Sequence, residues 1–394
     1  MIYHRLSLGG IEAHIVRSAN FFVDQGHSVT IFTRPGSMTA DLDKRVYVVH
    51  FDQYKEVCGW IPRRKELNII LAFDPLTYMV MKKLQWRIYR STGVKTYAHS
   101  GLFHPRTLAW PGDPIFVRWI NKVVFNLAQD SDFYFMSEAV KRATAKIVSQ
   151  RRVESKKIIT VPLDIPIEFP PVKRPTATQL SIISVGRIVP FKAYNHCVPE
   201  IVSKLLSLGV DVSWEIWGDG DDLQMIEKLI LEYGVQEHVK LKGSLPYSEF
   251  KATVTSANLF VGMGTAAVEA AILGVPTICC VEQLDDACYG FLSDAPLDAI
   301  GEQVENFSYQ KISDVISSFS TLSVKEIEEL SVMSREAAIA RVGKSDYNSL
   351  LDAPLGPIIC ASNYAALLVA APYLWAVDSR KSRFFFKRLR RILG

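Results

Sequence analysis

Three apolar runs in the second half of the chain each end in residues that could bind a ligand. They read SIISVGRIVPFKAYNH at residues 181–196, VSWEIWGDGDD at residues 212–222 and LFVGMGTAAVEAAILGVPTI at residues 259–278. Short runs rich in valine and isoleucine that alternate with helical stretches predict parallel strands. Open parallel sheets bind ligands outside the carboxyl ends of their strands, where helix N-termini present N–H groups. The sequence therefore predicts a binding site where these runs end.

Two cations, a turn of small residues and a glutamate follow the predicted strands. Arg187 and Lys192 lie in one loop, close enough in sequence to bind a single anion together, and a diphosphate is an anion that suits two cations. The turn at 262–267 has no bulky side chain, so its backbone can approach a phosphate closely. Glu269 follows in the next helix and can accept hydrogen bonds from ribose hydroxyls. The alternative is that these are a solvated pair of surface cations and a surface acid. Within the turn, the residues predicted to contact the ligand are Gly264, Thr265, Ala266 and Ala267.

At these residues the chain resembles the family 4 (group 1) glycosyltransferases, retaining enzymes of the GT-B fold that use nucleotide-diphosphate sugars. The resemblance lies in VGRIVPFKA, WEIWGDGDD, VKLKGSLPYSEF and VEAAILGVPTI, and it covers about residues 5–350. It implies an α/β fold with two Rossmann-like, doubly wound parallel-sheet domains that face a cleft. It also implies that Arg187 and Lys192 bind the diphosphate, that Glu269 binds the ribose, and that the turn at Gly218 lies near the nucleotide.

One position departs from the pattern of this family. The family has two glutamates separated by seven residues, and the first of them helps to hold the donor sugar. Counting back from Glu269, the first position is Val261. We expect backbone N–H groups of the turn around Gly264 to replace the missing carboxylate. A family member that has lost its activity is the alternative.

The first half of the chain predicts a second sheet of the same kind. Gly9 and Gly10 precede a helix at about residues 11–25, and in the family this loop faces the donor. The pair is not the spaced G-x-G-x-x-G of dinucleotide enzymes, so no nicotinamide cofactor is expected. After a short strand at residues 2–3, further runs alternate with helical stretches and predict a doubly wound parallel sheet. These runs lie at residues 28–33, 46–51, 67–72, 94–99 and 133–136.

Two histidines are candidates for the site in this first half. His99 ends the predicted strand 94–99, and a histidine at this place in the family lines the donor-sugar site, so His99 is predicted to take part in catalysis with Arg187 and Lys192. His104 follows five residues later and is a further candidate. A satisfied core histidine is the alternative for both residues.

No metal or cofactor is expected. Asp219 and Asp221 resemble a D-x-D metal site, but they follow a strand among glycines and are better explained as a turn, with Asp221 or Asp222 at the N-cap of the next helix. Arg187 and Lys192 would supply the positive charge that a metal gives elsewhere.

Length and composition indicate two domains in a reducing compartment. A chain of 394 residues exceeds what one ordinary core supports. We predict a first domain at residues 1–165, a second at 166–344, a crossover helix at 345–355 and an extension at 356–394, with the boundary in the proline-rich stretch 161–179. Six cysteines without a C-x-x-C pair, and no recognisable signal peptide, indicate reduced thiols and a cytoplasmic protein.

The end of the chain predicts contact with a membrane. Residues 358–377 are mostly apolar, and from residue 379 onward the chain has seven cations, three consecutive phenylalanines and no acid. Such a segment is typical of peripheral binding to an anionic membrane surface, here the inner face of the cytoplasmic membrane. Nucleic acid is the other partner of basic tails, but no recognition fold accompanies this one, so none is expected. A solvated tail is the alternative.

The predicted function is transfer of a sugar from a nucleotide-diphosphate sugar, with retention of configuration, to a lipid-linked or other glycan acceptor. The acceptor class would belong to surface polysaccharide assembly (O-antigen, capsule or exopolysaccharide). The sequence offers no evident carboxylate nucleophile, so the resemblance implies same-face attack in which the diphosphate takes the acceptor proton. Two alternatives are a GT-B-fold sugar-nucleotide epimerase and an inactive sugar-nucleotide-binding protein.

Overall fold

The first half of the chain forms a parallel sheet of six strands. The structure, a computed structural model, describes residues 1–7, 9–59, 68–110, 113–160, 163, 179–342 and 347–351. The strand order is β3-β2-β1-β4-β5-β6, and every neighbouring pair is parallel. The strands are β1 (Ile2–Arg5), β2 (Thr30–Arg34), β3 (Tyr47–His50), β4 (Asn68–Ala72), β5 (Thr96–Leu102) and β6 (Phe133–Phe135).

A second six-stranded sheet repeats this order. It runs β12-β11-β10-β7-β8-β9, and only β12 is antiparallel to its neighbour. Its strands are β7 (Leu180–Val185), β8 (Val212–Trp217), β9 (Val239–Gly243), β10 (Leu259–Gly262), β11 (Thr277–Cys280) and β12 (Cys288–Phe291). Both sheets have the doubly wound order, in which ligands bind where the strand order reverses. The predicted fold, with two such sheets, is confirmed.

Helices connect the strands, and local sequence explains where they begin and end. In the helix Pro75–Thr92, Asp74 accepts a hydrogen bond from the backbone N–H of Thr77, and proline occupies the first turn. The helix ends at Gly93, whose φ of 71° suits glycine. The helices are α1 (Gly10–Asp24), α2 (Tyr54–Gly59), α3 (Pro75–Thr92), α4 (Ile115–Leu127), α5 (Glu138–Ala145), α6 (Gln150–Glu154), α7 (Tyr194–Ser207), α8 (Leu223–Glu232), α9 (Tyr247–Val254), α10 (Thr265–Ile272), α11 (Ile312–Phe319) and α12 (Val324–Val342).

A buried polar chain ties three strands of the second sheet together. The indole N–H of Trp214 in β8 donates to Ser184 Oγ in β7 at 2.9 Å. Ser184 Oγ in turn donates to the carbonyl oxygen of Val261 in β10 at 2.7 Å. Val261 itself is fully buried in the core of this sheet. The cysteines Cys197, Cys279, Cys280 and Cys288 are buried free thiols, as the sequence predicted for them.

After α12 the chain returns to the first sheet. A short 3-10 helix, Tyr347–Leu350, packs on that sheet's core, with the ring of Tyr347 4.9 Å from the ring of Phe21. Of the predicted crossover helix at 345–355, residues 347–350 form this turn, and residues 345, 346 and 352–355 lie outside the described ranges. The predicted domain boundary at 165/166 and the extension 356–394 lie outside the described residues. Within the described ranges, no helix is both long and apolar enough to cross a membrane.

Candidate functional site

A cleft of about 910 Å³ lies between the two sheets. Its walls are built largely by the loops that follow β1, β4, β7 and β10, the strands at which the order of each sheet reverses. A ligand in this cleft would therefore touch both domains at the positions where doubly wound folds bind their ligands. Of the residues predicted from sequence, those that line the cleft are Gly9, Gly10, His104, Arg187, Lys192, Gly264, Thr265, Ala266 and Glu269.

The N-termini of α1 and α10 meet in this cleft. A β-carbon added to Gly10 would lie 2.9 Å from Thr265 Oγ1, so the two helix starts approach each other as closely as glycine allows. The first N–H groups of a helix have no partner within the helix, and its dipole is positive at this end. Two helix starts facing one cavity favour an anionic ligand.

Arg187 and Lys192 stand beside these helix starts. Gly186, with φ of 151°, brings the loop so close that a β-carbon there would collide with Lys192 Nζ. Burial in the cleft, together with the neighbouring charge of Arg187, lowers the pKa of Lys192 to about 8. The guanidinium of Arg187 lies 5.8 Å from the centre of the Phe191 ring. An anion with two negative groups would offset the repulsion between these two cations.

Glu269 is already engaged with the first domain. Arg17 Nη1 in α1 donates to Glu269 Oε1 at 2.7 Å, and the hydroxyl of Tyr247 donates to Glu269 Oε2 at 3.0 Å. Arg17 also donates to the Tyr247 hydroxyl at 2.9 Å. Burial alone would lower the pKa of Arg17, but the Glu269 carboxylate and Tyr247 raise it above its ordinary value. A ribose bound by Glu269 would share this carboxylate with Arg17.

The glycine turn before α10 uses one of its N–H groups internally. Gly264 has φ of 76°, a conformation that suits glycine, and its N–H donates to the carbonyl oxygen of Ile300 at 2.5 Å. Because that N–H is taken, Gly264 itself cannot replace the carboxylate missing at position 261, and the expectation rests on the other N–H groups of the turn. The N–H groups of Thr265 and Ala266 open the helix and remain for a ligand.

Sequence reasoning missed the acids beside this turn. Glu302 lines the cleft, its Oε2 accepts the N–H of Ile300 at 2.8 Å, and burial raises its pKa. The buried Glu282 is 3.1 Å from Arg106 Nη2 and 3.3 Å from His104 Nε2, both in the first domain. His104 Nδ1 accepts the backbone N–H of Arg106, so the proton of the neutral ring is on Nε2, which faces Glu282. No sequence motif marked Glu282 or Glu302.

His99 does not join the cleft. The strand β5 continues to Leu102, so His99 lies inside the sheet, 4% exposed, with its ring 5.1 Å from that of Tyr134. Burial lowers the pKa of His99 to about 4, and the ring is therefore neutral near pH 7. The predicted catalytic role for His99 has no support from this geometry. His104, after the end of β5, does line the cleft, as does His4 in β1.

Three further residues lie behind the cleft wall or act differently than predicted. Gly218 packs on the backbone of Gly186, where a β-carbon would collide with the Gly186 carbonyl oxygen, so it supports the loop that carries Arg187. Ala267 is fully buried. Asp222 is at the N-cap of α8, but its side chain contacts His196 at 2.8 Å and does not cap the helix. In the part of the chain that the structure describes, no three histidine, cysteine or acidic side chains are grouped as metal ligands.

The first domain supplies a more apolar wall. Its carboxyl-end loops and the inner face of α4 contribute a few polar groups, among them Asp74 and Asn121. The apolar side chains on this wall are Leu76, Phe103, Trp110, Val117 and Met136. This half of the cleft therefore suits a ligand with apolar parts.

Comparison with known proteins agrees with the predicted family. Residues 168–285 match the family described as Glycosyl transferases group 1. The Saccharomyces cerevisiae phosphatidylinositol N-acetylglucosaminyltransferase GPI3 subunit is 24% identical over 295 residues, which cover 67% of this chain and 63% of that protein. The chain thus spans less than two thirds of the length of this relative.

Solved structures share the fold at low sequence identity. Anabaena Alr3699/HepE in complex with UDP and glucose superposes with a TM-score of 0.63 at 14% identity, over 89% of this chain and 95% of that one. WaaG, a glycosyltransferase involved in lipopolysaccharide biosynthesis, gives a TM-score of 0.57 at 14% identity, over 94% of this chain and 99% of that one.

Proposed function

We propose that this chain, whose residues 168–285 match the family of group 1 glycosyltransferases, transfers a sugar from a nucleotide-diphosphate sugar to an acceptor. The observation that carries this proposal is the meeting of two helix N-termini, α1 and α10, beside Arg187 and Lys192 in one cleft. The two helix N-termini and the two cations suit a diphosphate, because a diphosphate is an anion with two negatively charged groups. The fold is shared with HepE, which was solved with UDP and glucose, and UDP-glucose is therefore a suitable first donor to test.

In the proposed reaction the second domain stabilises the leaving diphosphate. Negative charge grows on the diphosphate as its bond to the sugar breaks, and donors aimed at that charge lower the barrier. Arg187 and Lys192 supply the cations, and the N–H groups of Thr265 and Ala266 supply the helix N-terminus. A bound diphosphate would raise the pKa of Lys192 and keep its ammonium charged. The acceptor attacks from the same face, and the diphosphate takes its proton, as the family resemblance implies.

Glu302 is proposed as the carboxylate that faces the donor sugar. Val261 is buried in the core, so the side chain at this position reaches no ligand. Glu302 lies across the Gly264–Ile300 hydrogen bond from the glycine turn, in the wall of the cleft. A carboxylate in that position can accept hydrogen bonds from sugar hydroxyls.

We propose a lipid-linked glycan of surface polysaccharide assembly as the acceptor. Support comes from the apolar wall of the first domain, on which Leu76, Trp110 and Val117 could contact a lipid or an apolar part of the acceptor. The yeast relative is named for transfer to phosphatidylinositol, and WaaG for lipopolysaccharide biosynthesis. Such an acceptor would place the protein at the inner face of the cytoplasmic membrane. The basic extension predicted to bind there lies outside the described residues.

The test is incubation of the purified full chain with UDP-glucose, UDP-N-acetylglucosamine or GDP-mannose and a bacterial lipid extract. Transfer of label to lipid supports the proposal, and an Arg187→Met variant, which should transfer little, controls for contaminating enzymes. Conversion of the donor to an isomer without transfer would indicate the epimerase alternative. Donor binding without any turnover, over all donors and extracts tried, would indicate a sugar-nucleotide-binding protein.

A further inference from the structure

The outer surfaces of α3 and α4 expose large apolar side chains. On α4, Ile115 is 83% exposed and Trp119 is 57% exposed, and Phe116 next to Ile115 is also exposed. On α3, Trp86 and Tyr89 are exposed. Single exposed apolar residues are common on soluble proteins, but Ile115 and Trp119, one turn apart on the same helix, form an exposed apolar patch.

The two helices lie on the same side of the first sheet. Helix α3 connects β4 to β5, and α4 connects β5 to β6, so both connections step in the same direction along the sheet. Right-handed connections of this kind place consecutive helices side by side on one face. The two helices are also in direct contact. Their outward residues therefore belong to one surface, which we call the α3–α4 face.

The charge of the α3–α4 face is positive. Neither helix contains an aspartate or glutamate. The acids in contact with the helices lie elsewhere: Asp132 pairs with the buried Lys82 on the inner side of α3, Asp74 caps α3, and the carbonyl oxygen of Asp113 accepts from Arg118 Nε at 2.8 Å. One cation, Arg90, lies 5.5 Å from the centre of the Trp86 ring. The cations on the face are Lys83, Arg87, Arg90, Arg118 and Lys122.

The same helices also form part of the cleft. Val117 and Asn121, on the inner side of α4, line the cleft, as do Pro75 and Leu76 at the start of α3. Ile115, at the first turn of α4, is thus exposed beside the mouth of the first-domain half of the cleft. Any partner seated on the α3–α4 face would sit next to the proposed acceptor site.

We propose that the α3–α4 face docks the protein on an anionic lipid bilayer. Tryptophan and tyrosine favour the interface of a bilayer, where one part of the ring is apolar and another is polar. Cations beside them are attracted to anionic headgroups near the surface. The inference deepens the proposed function, on which the choice of a lipid-linked acceptor rests. Docking itself is measured without any transfer.

The first experiment measures binding of the full chain to sedimenting vesicles of phosphatidylcholine with or without phosphatidylglycerol. The combined variant Ile115→Ser, Trp119→Ser should bind anionic vesicles at least about tenfold more weakly than the wild type, because it loses two inserting side chains. Leu231→Ser is the matched control, since Leu231 is 64% exposed on α8 of the second domain. Equal binding by the double variant and the wild type would overturn the proposal.

The second experiment separates this face from the C-terminal extension, which could hold the chain on vesicles by itself. Lipids brominated in the acyl chain quench tryptophan that inserts among them. The conservative variant Trp119→Phe should retain binding and lose a distinct part of the quenching. Unchanged quenching in Trp119→Phe would show that residue 119 does not reach the bilayer, and would overturn the proposal even if the chain binds vesicles.

UDP binding controls for misfolding of the variants. Both variants should bind UDP like the wild type, because the second domain is untouched. A failure of sugar transfer with vesicle docking intact would count against the proposed function and leave the docking inference standing.

A wild-type dimer that becomes a monomer in the double variant, with vesicle binding unchanged, would assign the face to a second copy. RNA binding lost in the double variant, again with vesicle binding unchanged, would assign it to nucleic acid. Either result would overturn the proposal.

Discussion

Arg17 of the first domain and Glu269 of the second form a buried ion pair of 2.7 Å across the cleft. The side chains are 5% and 12% exposed, so water screens the pair little. Tyr247 adds hydrogen bonds to both partners. This pair therefore holds α1 against α10, the two helices whose N-termini form the proposed anion site. The contact between the domains and the proposed binding of ribose would therefore share the carboxylate of Glu269.

Removing one partner of this pair should cost stability. In Glu269→Gln the charge of Arg17 stays buried without its counter-ion, and the free energy of unfolding should fall by about 3 kcal/mol, as for other broken buried pairs. Urea unfolding followed by fluorescence measures the change. The control is Glu329→Gln, which breaks an exposed pair with Lys325 on α12 and should leave stability unchanged. Equal midpoints for all three proteins would show that the Arg17–Glu269 pair contributes nothing.

Arg187 should contribute binding energy for the diphosphate and little for the nucleoside. Arg187→Met should weaken UDP binding by about 1.5 to 3 kcal/mol, the range for a hydrogen bond to a charged group. Uridine should bind as before. Calorimetric titration of UDP and uridine measures both, with Lys228→Met on the exposed side of α8 as the control. A parallel loss of both ligands would indicate misfolding, and no loss of UDP affinity would remove Arg187 from the site.

The lowered pKa of Lys192, about 8, gives opposite pH dependences for stability and binding. The unfolded chain holds this proton until about pH 10.4, so between pH 8 and that value the folded protein binds fewer protons. The free energy of unfolding should therefore rise with pH across this window, relative to Lys192→Met. Binding of the diphosphate needs the charged ammonium, so the affinity for UDP-glucose should fall above about pH 8 in the wild type. An identical pH profile in Lys192→Met would refute the assignment.

The sequence predicted the sheets well because the strand signals are local. Runs such as 180–185 are short, rich in β-branched residues and bounded by turns, and they appear as β7 and its neighbours. The end of strand β5 was harder to predict. The residues after His99 are serine and glycine, which form strands poorly, so the run was expected to end there. Tertiary pairing overrides this, since Ser100, Gly101 and Leu102 pair with β6.

The site was predictable only where one stretch of chain carries several of its groups. Arg187, Lys192 and the turn before α10 follow strands directly, and the carboxyl ends of parallel strands meet at one edge of a sheet. Arg17, Glu282 and Glu302 are brought in by packing between distant segments. No sequence motif indicates that a helix of the first domain contacts α10. No motif indicates either that the carbonyl oxygen of Ile300 accepts a hydrogen bond from the N–H of Gly264.

Glu302 should discriminate between the donor and its diphosphate product. If its carboxylate accepts hydrogen bonds from sugar hydroxyls, Glu302→Gln should weaken UDP-glucose binding by about 1 kcal/mol or more and leave UDP binding unchanged. Sugar transfer should fall with it. Glu305→Gln is the matched control, because Glu305 follows in the same segment but is 82% exposed and pairs with Lys146. Since burial raises the pKa of Glu302, the effect should shrink as the pH falls and the wild-type carboxyl takes up a proton. Equal losses for UDP and UDP-glucose would place Glu302 in a structural role, held by Ile300, and leave the sugar contact to other groups.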